Sequence, residues 1–276
     1  MLKRKIKNLE NELSKQDYGN SLFVDPSKQM HVGGIFNEQS NFAEEITSLN
    51  DSNRITVIIP TLNEEQNISS IIGELHYLGF KNILMIDGNS TDSTVEVARE
   101  LGVKILQQEK KGKGEALRQA FDYAGLRDWV VMIDADGSMD PREIFHFLEH
   151  LKNGTDVVKG SRFMRYGSSE DMTFLRRIGN TFFVFLVNLI WGANYTDLCY
   201  GFAAFKKEAL RSLQPHLESS AFEIETELFI KAKKLGLNIA EVPSFEFSRR
   251  YGKSNLHSFR DGLLILKMII SEAFRR

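Results

Sequence analysis

The sequence contains a single cysteine, Cys199, among its 276 residues. One thiol excludes an internal disulfide and a cysteine-rich zinc site, and it fits a reducing compartment. An excess of either charge is also lacking, because 35 basic and 37 acidic residues leave a formal net charge of −2. The chain therefore has no basic field that would draw it to nucleic acid, and we expect no nucleic-acid partner.

Long apolar runs are missing as well. None reaches the roughly 18–20 apolar residues that a membrane-spanning helix needs. The longest candidate, 181–191, is shorter and contains Asn188. Residues 1–20 are charged throughout and lack the apolar segment of a signal peptide. We therefore expect a protein that is soluble or lies on a membrane surface.

The length predicts one large domain with a segment added at each end. Residues 1–54 are polar and irregular, and we interpret them as an N-terminal extension or linker. Residues 55–258 carry the regular pattern of a folded domain, and 259–276 have the pattern of an amphipathic helix. The extension could instead pack on a partner subunit, so a homo-oligomer stays open.

Short β-branched runs alternate with helical patterns along residues 55–160. The predicted strands are 55–59, 83–86, 103–106, 130–134 and 156–160. Pro60 is expected to end the first strand, and the predicted helix caps are Asn63, Ser90 or Thr91, and Asp140 in a capping box with Glu143. This alternation predicts an α/β fold, a mostly parallel sheet flanked by helices. Loops 60–64, 87–92 and 134–138 all follow strand ends, so they should meet in one crevice.

Two aspartates, Asp134 and Asp136, follow the apolar run 130–133. Residues i and i+2 of a strand point to the same side, so the two carboxylates face together. Like charges this close repel unless a cation lies between them. Oxygen ligands with open positions suit Mg²⁺ or Mn²⁺ bridging a substrate diphosphate. The alternative is a surface loop with two solvated acids.

The strings at these loops resemble the family 2 glycosyltransferases, which have the GT-A fold. They are Pro60-Thr61-Leu62-Asn63-Glu64, Asp87-Gly88-Asn89-Ser90-Thr91-Asp92, Gly112-Lys113-Gly114 and Asp134-Ala135-Asp136. Later strings are similar to the polyprenyl-phosphate sugar transferases of the dolichol-phosphate mannosyltransferase type, namely 160–163, 196–202 and 251–254. The resemblance covers 55–259 and implies a single Rossmann-like GT-A domain that uses a nucleoside diphosphate sugar.

The resemblance also implies which residues bind the donor. They are Pro60, Leu62, Asn63, Glu64, Asp87, Lys113, Asp134, Ala135, Asp136, Arg250, Lys253 and Ser254. Asp134 and Asp136 would hold the metal, and Ser138 stands where relatives often carry a Gln as a third metal contact. The alternatives are a turn residue at Asp87, a helix N-terminal charge at Glu64 and a solvated basic loop at 249–253.

Three residues are candidates for catalysis on the acceptor side. Arg162 follows a strand end and could reach the crevice as a cation for phosphate, and such contacts also stabilise the leaving group. Asp197 is the first candidate for contact with the acceptor, and Glu225 could act as a base toward a hydroxyl. The alternative for Glu225 is an exposed helix face. A departure is Ala203, which stands where many relatives have an arginine for the acceptor phosphate.

The resemblance favours a metal-dependent inverting transfer of a sugar to a polyprenyl phosphate at the cytoplasmic face of a membrane. Two apolar stretches with basic ends, 174–191 and 259–274, could lie in the bilayer interface, cover the sheet or form a dimer contact. A soluble hydroxyl acceptor stays open. A sugar nucleotidyltransferase is less favoured because loop 60–63 lacks a glycine-rich basic segment, and a non-catalytic binder has no need of a metal pair.

Overall fold

A seven-stranded sheet forms the centre of the computed structural model, which describes residues 53–254 and 256–275. The strand order is β3-β2-β1-β4-β7-β5-β8. Its strands are β1 (Ile55–Thr61), β2 (Ile83–Asp87), β3 (Lys104–Gln107), β4 (Trp129–Met132), β5 (Val157–Ser161), β7 (Ala203–Lys206) and β8 (Ile239–Pro243). Two short strands, β6 (Ser168–Ser169) and β9 (Phe245–Glu246), pair separately.

Helices follow most of the strands. They are α1 (Ile68–Tyr77), α2 (Thr94–Glu100), α3 (Lys113–Phe121), α4 (Ile144–Lys152), α5 (Phe174–Trp191), α6 (Lys207–Leu213), α7 (Ile224–Lys234) and α8 (Ser258–Phe274). Short 3₁₀ turns at Pro141–Glu143 and Gln214–His216 precede α4 and follow α6. The predicted α/β architecture is therefore confirmed.

The sheet is mostly parallel, as expected, with one reversed strand. Strands β1 to β4 run parallel to one another, whereas β7 pairs antiparallel with both β4 and β5. The central strands are buried on both faces, which explains their continuous apolar sequence. Loops at the carboxyl ends of β1, β2 and β4 therefore lie at one edge of the sheet.

Several predicted boundaries are wrong. Pro60 does not end β1, since it pairs with Ile86 and the strand continues to Thr61. Asn63 does not cap α1, which begins five residues later; the backbone of Asn63 has φ of 56° and its side chain accepts from Thr91 N–H at 2.8 Å.

The other predicted caps also differ. Ser93, rather than Ser90 or Thr91, precedes α2. Asp140 caps the 3₁₀ turn as expected, but Glu143 forms no capping box because its carboxylate accepts hydrogen bonds from Phe245 N–H and Ser244. These polar side chains serve contacts between loops, which local patterns do not reveal.

Helices α5 and α8 pack against each other and leave apolar side chains exposed. Because α5 starts at Phe174, it is longer than the apolar run 181–191 and is the one helix of the described residues that could cross a membrane by length and composition. Core helices of soluble proteins and signal sequences have the same length and composition. The predicted extension 1–54 lies outside the described residues except for 53 and 54.

Candidate active site

Asp134 and Asp136 lie at the carboxyl edge of the sheet, and each contacts a cation that also contacts a glutamate. Strand β4 ends at Met132, and the chain then turns with Gly137 at φ of 78°. The side chains of Asp134 and Asp136 keep 28% and 21% exposure, so both remain open to a ligand. The backbone of Ser138 donates to Asp136 Oδ1 at 3.0 Å, which fixes that carboxylate.

Lys113, the first residue of α3, links Asp134 to a buried glutamate. Its Nζ lies 2.7 Å from Asp134 Oδ1 and 2.7 Å from Glu225 Oε1. Burial alone would lower the pKa of Lys113, but the two carboxylates outweigh it and raise that pKa, so the ammonium stays charged. Burial and the nearby Asp134 raise the pKa of Glu225, while Lys113 opposes the rise.

Arg249 makes the corresponding link for Asp136. Its Nη1 donates to Asp136 Oδ2 at 3.0 Å, and its Nη2 donates to the carboxylate of Glu64. Glu64 is buried and also accepts from Asn67 at 2.7 Å. Burial raises the pKa of Glu64, against the lowering effects of Asn67 and Arg249. Each aspartate thus shares a cation with one buried glutamate.

The two aspartates fit a divalent metal that completes its coordination with other oxygen ligands. Within the described residues, no group of three or more His, Cys, Asp or Glu side chains could hold an ion without help. Mg²⁺ usually takes only one or two carboxylates and completes its shell with water and phosphate oxygens. Asp134 and Asp136 match that donor set, with Ser138 beside them.

Asp87 lies at the end of β2 and is almost fully buried. Its Oδ2 accepts from Asn89 N–H and Ser90 N–H at 3.1 Å each and from Gln107 Nε2 at 2.9 Å. The carboxylate thus holds its own turn. Pro60 and Leu62, on the neighbouring strand end, are partly exposed, whereas Ala135 is buried.

The basic segment after β9 lies across the Asp134–Asp136 loop. Arg250 packs over Gly137 and donates to Glu74 Oε1 at 2.8 Å. Lys253 and Ser254 are exposed, and Ser254 Oγ accepts from Leu256 N–H at 3.2 Å. The structure brings Arg250 to the site edge and leaves Lys253 and Ser254 at the surface.

Arg162 and Asp197 form a buried ion pair. Arg162 donates from Nε to Asp197 Oδ2 at 2.7 Å and from Nη2 to Oδ1 at 3.0 Å. The same guanidinium reaches Glu246 at 3.1 Å and the carbonyl of Cys199 at 2.7 Å. Burial opposes ionisation of Asp197, but Arg162 outweighs it and holds the pKa of that carboxyl below its usual range. Both side chains are therefore occupied by each other.

Arg249 is the site residue that the sequence did not single out. The sequence shows it only as part of a basic cluster with Arg250 and Lys253. Its contact with Asp136 is visible only in the structure. The two are 113 positions apart, and Glu64 is 185 positions from Arg249. No local spacing reveals such contacts.

The chain is similar in sequence to known glycosyltransferases. The model of the family "Glycosyl transferase family 2" matches residues 56–214. The chain is 35% identical over 225 residues to "Glycosyltransferase AglJ" of Haloferax volcanii, covering 80% of this chain and 71% of that protein. It is 33% identical over 218 residues to the "Dolichyl-phosphate hexose transferase" of the same organism, covering 78% and 92%.

A solved structure shares the fold. Glucosyl-3-phosphoglycerate synthase from Mycobacterium tuberculosis, in complex with Mn²⁺, uridine diphosphate and phosphoglyceric acid, superposes with a TM-score of 0.65 at 21% identity. The match covers 86% of this chain and 82% of that one, and it confirms the GT-A architecture. The chain therefore belongs to glycosyl transferase family 2 and is a hexosyltransferase similar to those of the polyprenyl-phosphate type.

Proposed function

We propose that the protein moves a sugar from a nucleoside diphosphate sugar to a polyprenyl phosphate, with inversion and with help from Mg²⁺ or Mn²⁺. The observation that supports this most strongly is the pair Asp134 and Asp136, each beside a cation at the carboxyl edge of the sheet. A diphosphate bound there would meet positive charge on two sides. The relative named for a dolichyl-phosphate acceptor supports the lipid.

In this mechanism an ionised oxygen of the lipid phosphate attacks the anomeric carbon of the sugar. The bond from that carbon to the diphosphate oxygen breaks, and the nucleoside diphosphate leaves with both bonding electrons. The metal supplies charge stabilisation for the leaving group when bound. Lys113 and Arg249 place further positive charge where the negative charge develops, which is the type of contribution that often dominates catalysis.

The remaining donor residues complete the proposal. Asp87 orders the turn beside the nucleotide, with Pro60, Leu62 and Asn63 on the neighbouring loop. Arg250, Lys253 and Ser254 lie on the segment that would cover the diphosphate.

The acceptor side needs a positive charge rather than a base. A phosphate monoester is already ionised near neutral pH, so Glu225 has no proton to remove, and its pairing with Lys113 fits a charge-balancing role. Arg162 is the proposed partner for the acceptor phosphate, which would replace Glu246 at Nη1 while Nε and Nη2 stay on Asp197. Asp197 holds Arg162 in place.

The exposed faces of α5 and α8 support a position on a membrane surface, and we propose the cytoplasmic one. On α5 the exposed stripe is Phe174, Ile178, Phe182, Phe185 and Leu189, and on α8 it is Phe259, Leu263, Ile270 and Phe274. Both helices start just after the segments that carry Arg162 and Arg249, and Arg176 joins their beginnings through Ser258 at 3.3 Å. A lipid acceptor on this face would present its phosphate to the site.

The test is a transfer assay with polyprenyl phosphate and a panel of labelled nucleotide sugars. Label should enter the organic phase only with Mg²⁺ or Mn²⁺ present. Asp136→Asn should abolish transfer, whereas Asp128→Asn, which removes a charge paired to Arg54 away from the site, should leave it unchanged. Unchanged transfer by Asp136→Asn would remove the metal hypothesis.

A soluble hydroxyl acceptor is the second candidate, since Ala203 stands where the family resemblance implies an arginine for an acceptor phosphate. The same panel separates the two. Label that enters only a water-soluble product would replace the lipid proposal, and flotation with anionic liposomes should then show no binding.

The membrane surface has its own test. If the unchanged protein floats with liposomes, Phe182→Ser/Phe185→Ser should lose flotation and keep transfer to a short-chain acceptor, which would support the membrane surface.

A further inference from the structure

We infer that Glu64 and Glu225 are positioning residues that keep Arg249 and Lys113 beside the diphosphate when a metal ion binds to Asp134 and Asp136. The inference rests on the proposed function and deepens it. It assigns both glutamates to the cations rather than to the nucleotide or to proton transfer.

The geometry of the two cations carries the inference. Each is shared between an aspartate that remains partly exposed and a glutamate that is only 7% exposed. A dication held by the aspartates would compete with Lys113 and Arg249 for the same two carboxylates. It would also repel both cations, because like charges that share the same carboxylates interact strongly in a partly buried site.

Without a second anion, each displaced cation would be left buried without a partner or would move to solvent. The glutamates prevent this. Lys113 can keep its 2.7 Å contact with Glu225, and Arg249 can keep its contact with Glu64. Both cations would then remain available to the oxygens of the diphosphate.

Each glutamate is itself held by other groups. Glu64 accepts from Asn67 Nδ2 at 2.7 Å, and the same amide donates to the carbonyl of Tyr251 at 3.1 Å. Arg249 Nε donates to that carbonyl at 2.8 Å, so Glu64, Asn67 and the basic segment form one network. Glu225 lies in the first turn of α7, and Gly201 lies against its carboxylate.

A consequence is that Arg249 competes with the metal for Asp136 while it helps to bind the diphosphate. Removing Arg249 should therefore change the two affinities in opposite directions. A residue that only stabilises the fold would change neither or weaken both.

The experiment measures Mn²⁺ binding to the full chain by the electron paramagnetic resonance of free Mn²⁺, first with the metal alone and then with inorganic pyrophosphate. Arg249→Met should tighten binding of Mn²⁺ alone by about threefold or more and weaken pyrophosphate binding in the presence of Mn²⁺ by a similar factor. Arg142→Met, which removes an arginine paired with Asp140 in the same region, should leave both affinities unchanged.

A double-mutant cycle tests the glutamate. Glu64→Gln should weaken pyrophosphate binding in the presence of Mn²⁺, and the same change in the Arg249→Met background should have no further effect. Glu225→Gln with Lys113→Met should behave likewise. Additive losses in both cycles, or looser Mn²⁺ binding by Arg249→Met, would overturn the inference.

Failure of this inference can be distinguished from failure of the proposed function. If Asp136→Asn bound Mn²⁺ as tightly as the unchanged protein does, the metal site itself would be misplaced. If Asp136→Asn abolished binding while the cycles were additive, the metal site would stand and only the role of the glutamates would fall.

Discussion

Gly201 lies so close to Glu225 that a β-carbon at position 201 would stand 2.8 Å from Glu225 Oε1. The same β-carbon would lie 3.1 Å from Lys113 Nζ. Real β-carbons almost never approach a heavy atom closer than 3.0 Å, so a larger residue would have to push the carboxylate aside. Position 201 is therefore tied to the geometry of the Lys113–Glu225 pair.

Gly201→Ala is expected to lower sugar transfer by about tenfold or more, because a shift near 1 Å at a positioned group can cost that much. Thermal stability should fall far less than activity. Gly179→Ala is the matched control, since a β-carbon in the middle of α5 would meet its nearest atom at 4.0 Å. That change should stabilise the helix by about 0.5–1 kcal/mol. Full activity of Gly201→Ala would contradict the prediction.

Asp197→Asn is expected to lower the free energy of unfolding by about 3–5 kcal/mol, because it leaves the buried Arg162 guanidinium without its bidentate partner. Glu246 and the Cys199 carbonyl remain as partners and set the lower end of that range. Urea unfolding measures the loss.

The double change Arg162→Met/Asp197→Leu should lose less stability than the sum of the single changes, because no unpaired charge stays buried. It should nevertheless abolish transfer to a lipid phosphate. Strictly additive losses of stability would show that the two side chains are not coupled.

Glu143 should make stability depend on pH in the neutral range. Burial raises the pKa of Glu143 from 4.5 to about 7, although hydrogen bonds from Ser244 and Phe245 oppose the rise. Between those values the folded protein holds a proton that the unfolded chain has released. Its stabilising contribution is therefore full below pH 4.5 and declines as the pH rises through 7, by about 3 kcal/mol in total.

Urea unfolding of the unchanged protein and of Glu143→Gln from pH 4.5 to 8 checks this. Glutamine resembles the protonated acid, so the difference in unfolding free energy between the two proteins should change across that range. Parallel curves would show that the carboxyl group ionises with its ordinary pKa.

Glu272 should act in the opposite direction. It is buried on α8 and accepts from Lys231 at 2.7 Å and Lys234 at 3.0 Å, both on α7. Burial would raise its pKa, but these two lysines outweigh burial and lower it. Its contribution is present above pH 4.5 and is lost as the pH falls through the lowered pKa.

Glu272→Gln should therefore destabilise the protein by about 1.5–3 kcal/mol at pH 7 and have little effect in acid. Because Glu272 anchors α8 to α7, the change should also weaken liposome flotation. An equal loss of stability at pH 7 and in strong acid would argue for a packing effect alone.

The sequence predicts the frame of the site because its signals are local. A strand pattern followed by an acid places Asp87 and Asp134 at one edge of a parallel sheet, and the structure has them there. Strand β7 was not predicted, because four residues with Ala203 and Ala204 carry no clear period. Its reversed direction depends on its two neighbours in the sheet.

The partners of the charged site residues could not be predicted either, because they too are distant in the sequence. The family resemblance implies that Glu64 binds the donor, whereas its sequence neighbours indicate only a charge near a helix start. Its contact with Arg249 depends on the path of the last third of the chain. Asn63 and Glu143 were assigned to helix caps because such residues usually serve there, whereas here they join separate loops.

Gly114 shows how that distant part of the chain reaches the aspartates. A β-carbon there would lie 2.3 Å from the carbonyl oxygen of Ser219, and Gly114 N–H donates to the Ser220 carbonyl at 3.0 Å. The part that matches the family model ends at residue 214, before either serine. A fragment trimmed to that match would thus retain Asp134 and Asp136 but lose the segment that packs against Gly114, the neighbour of Lys113. It should therefore not serve as a minimal enzyme.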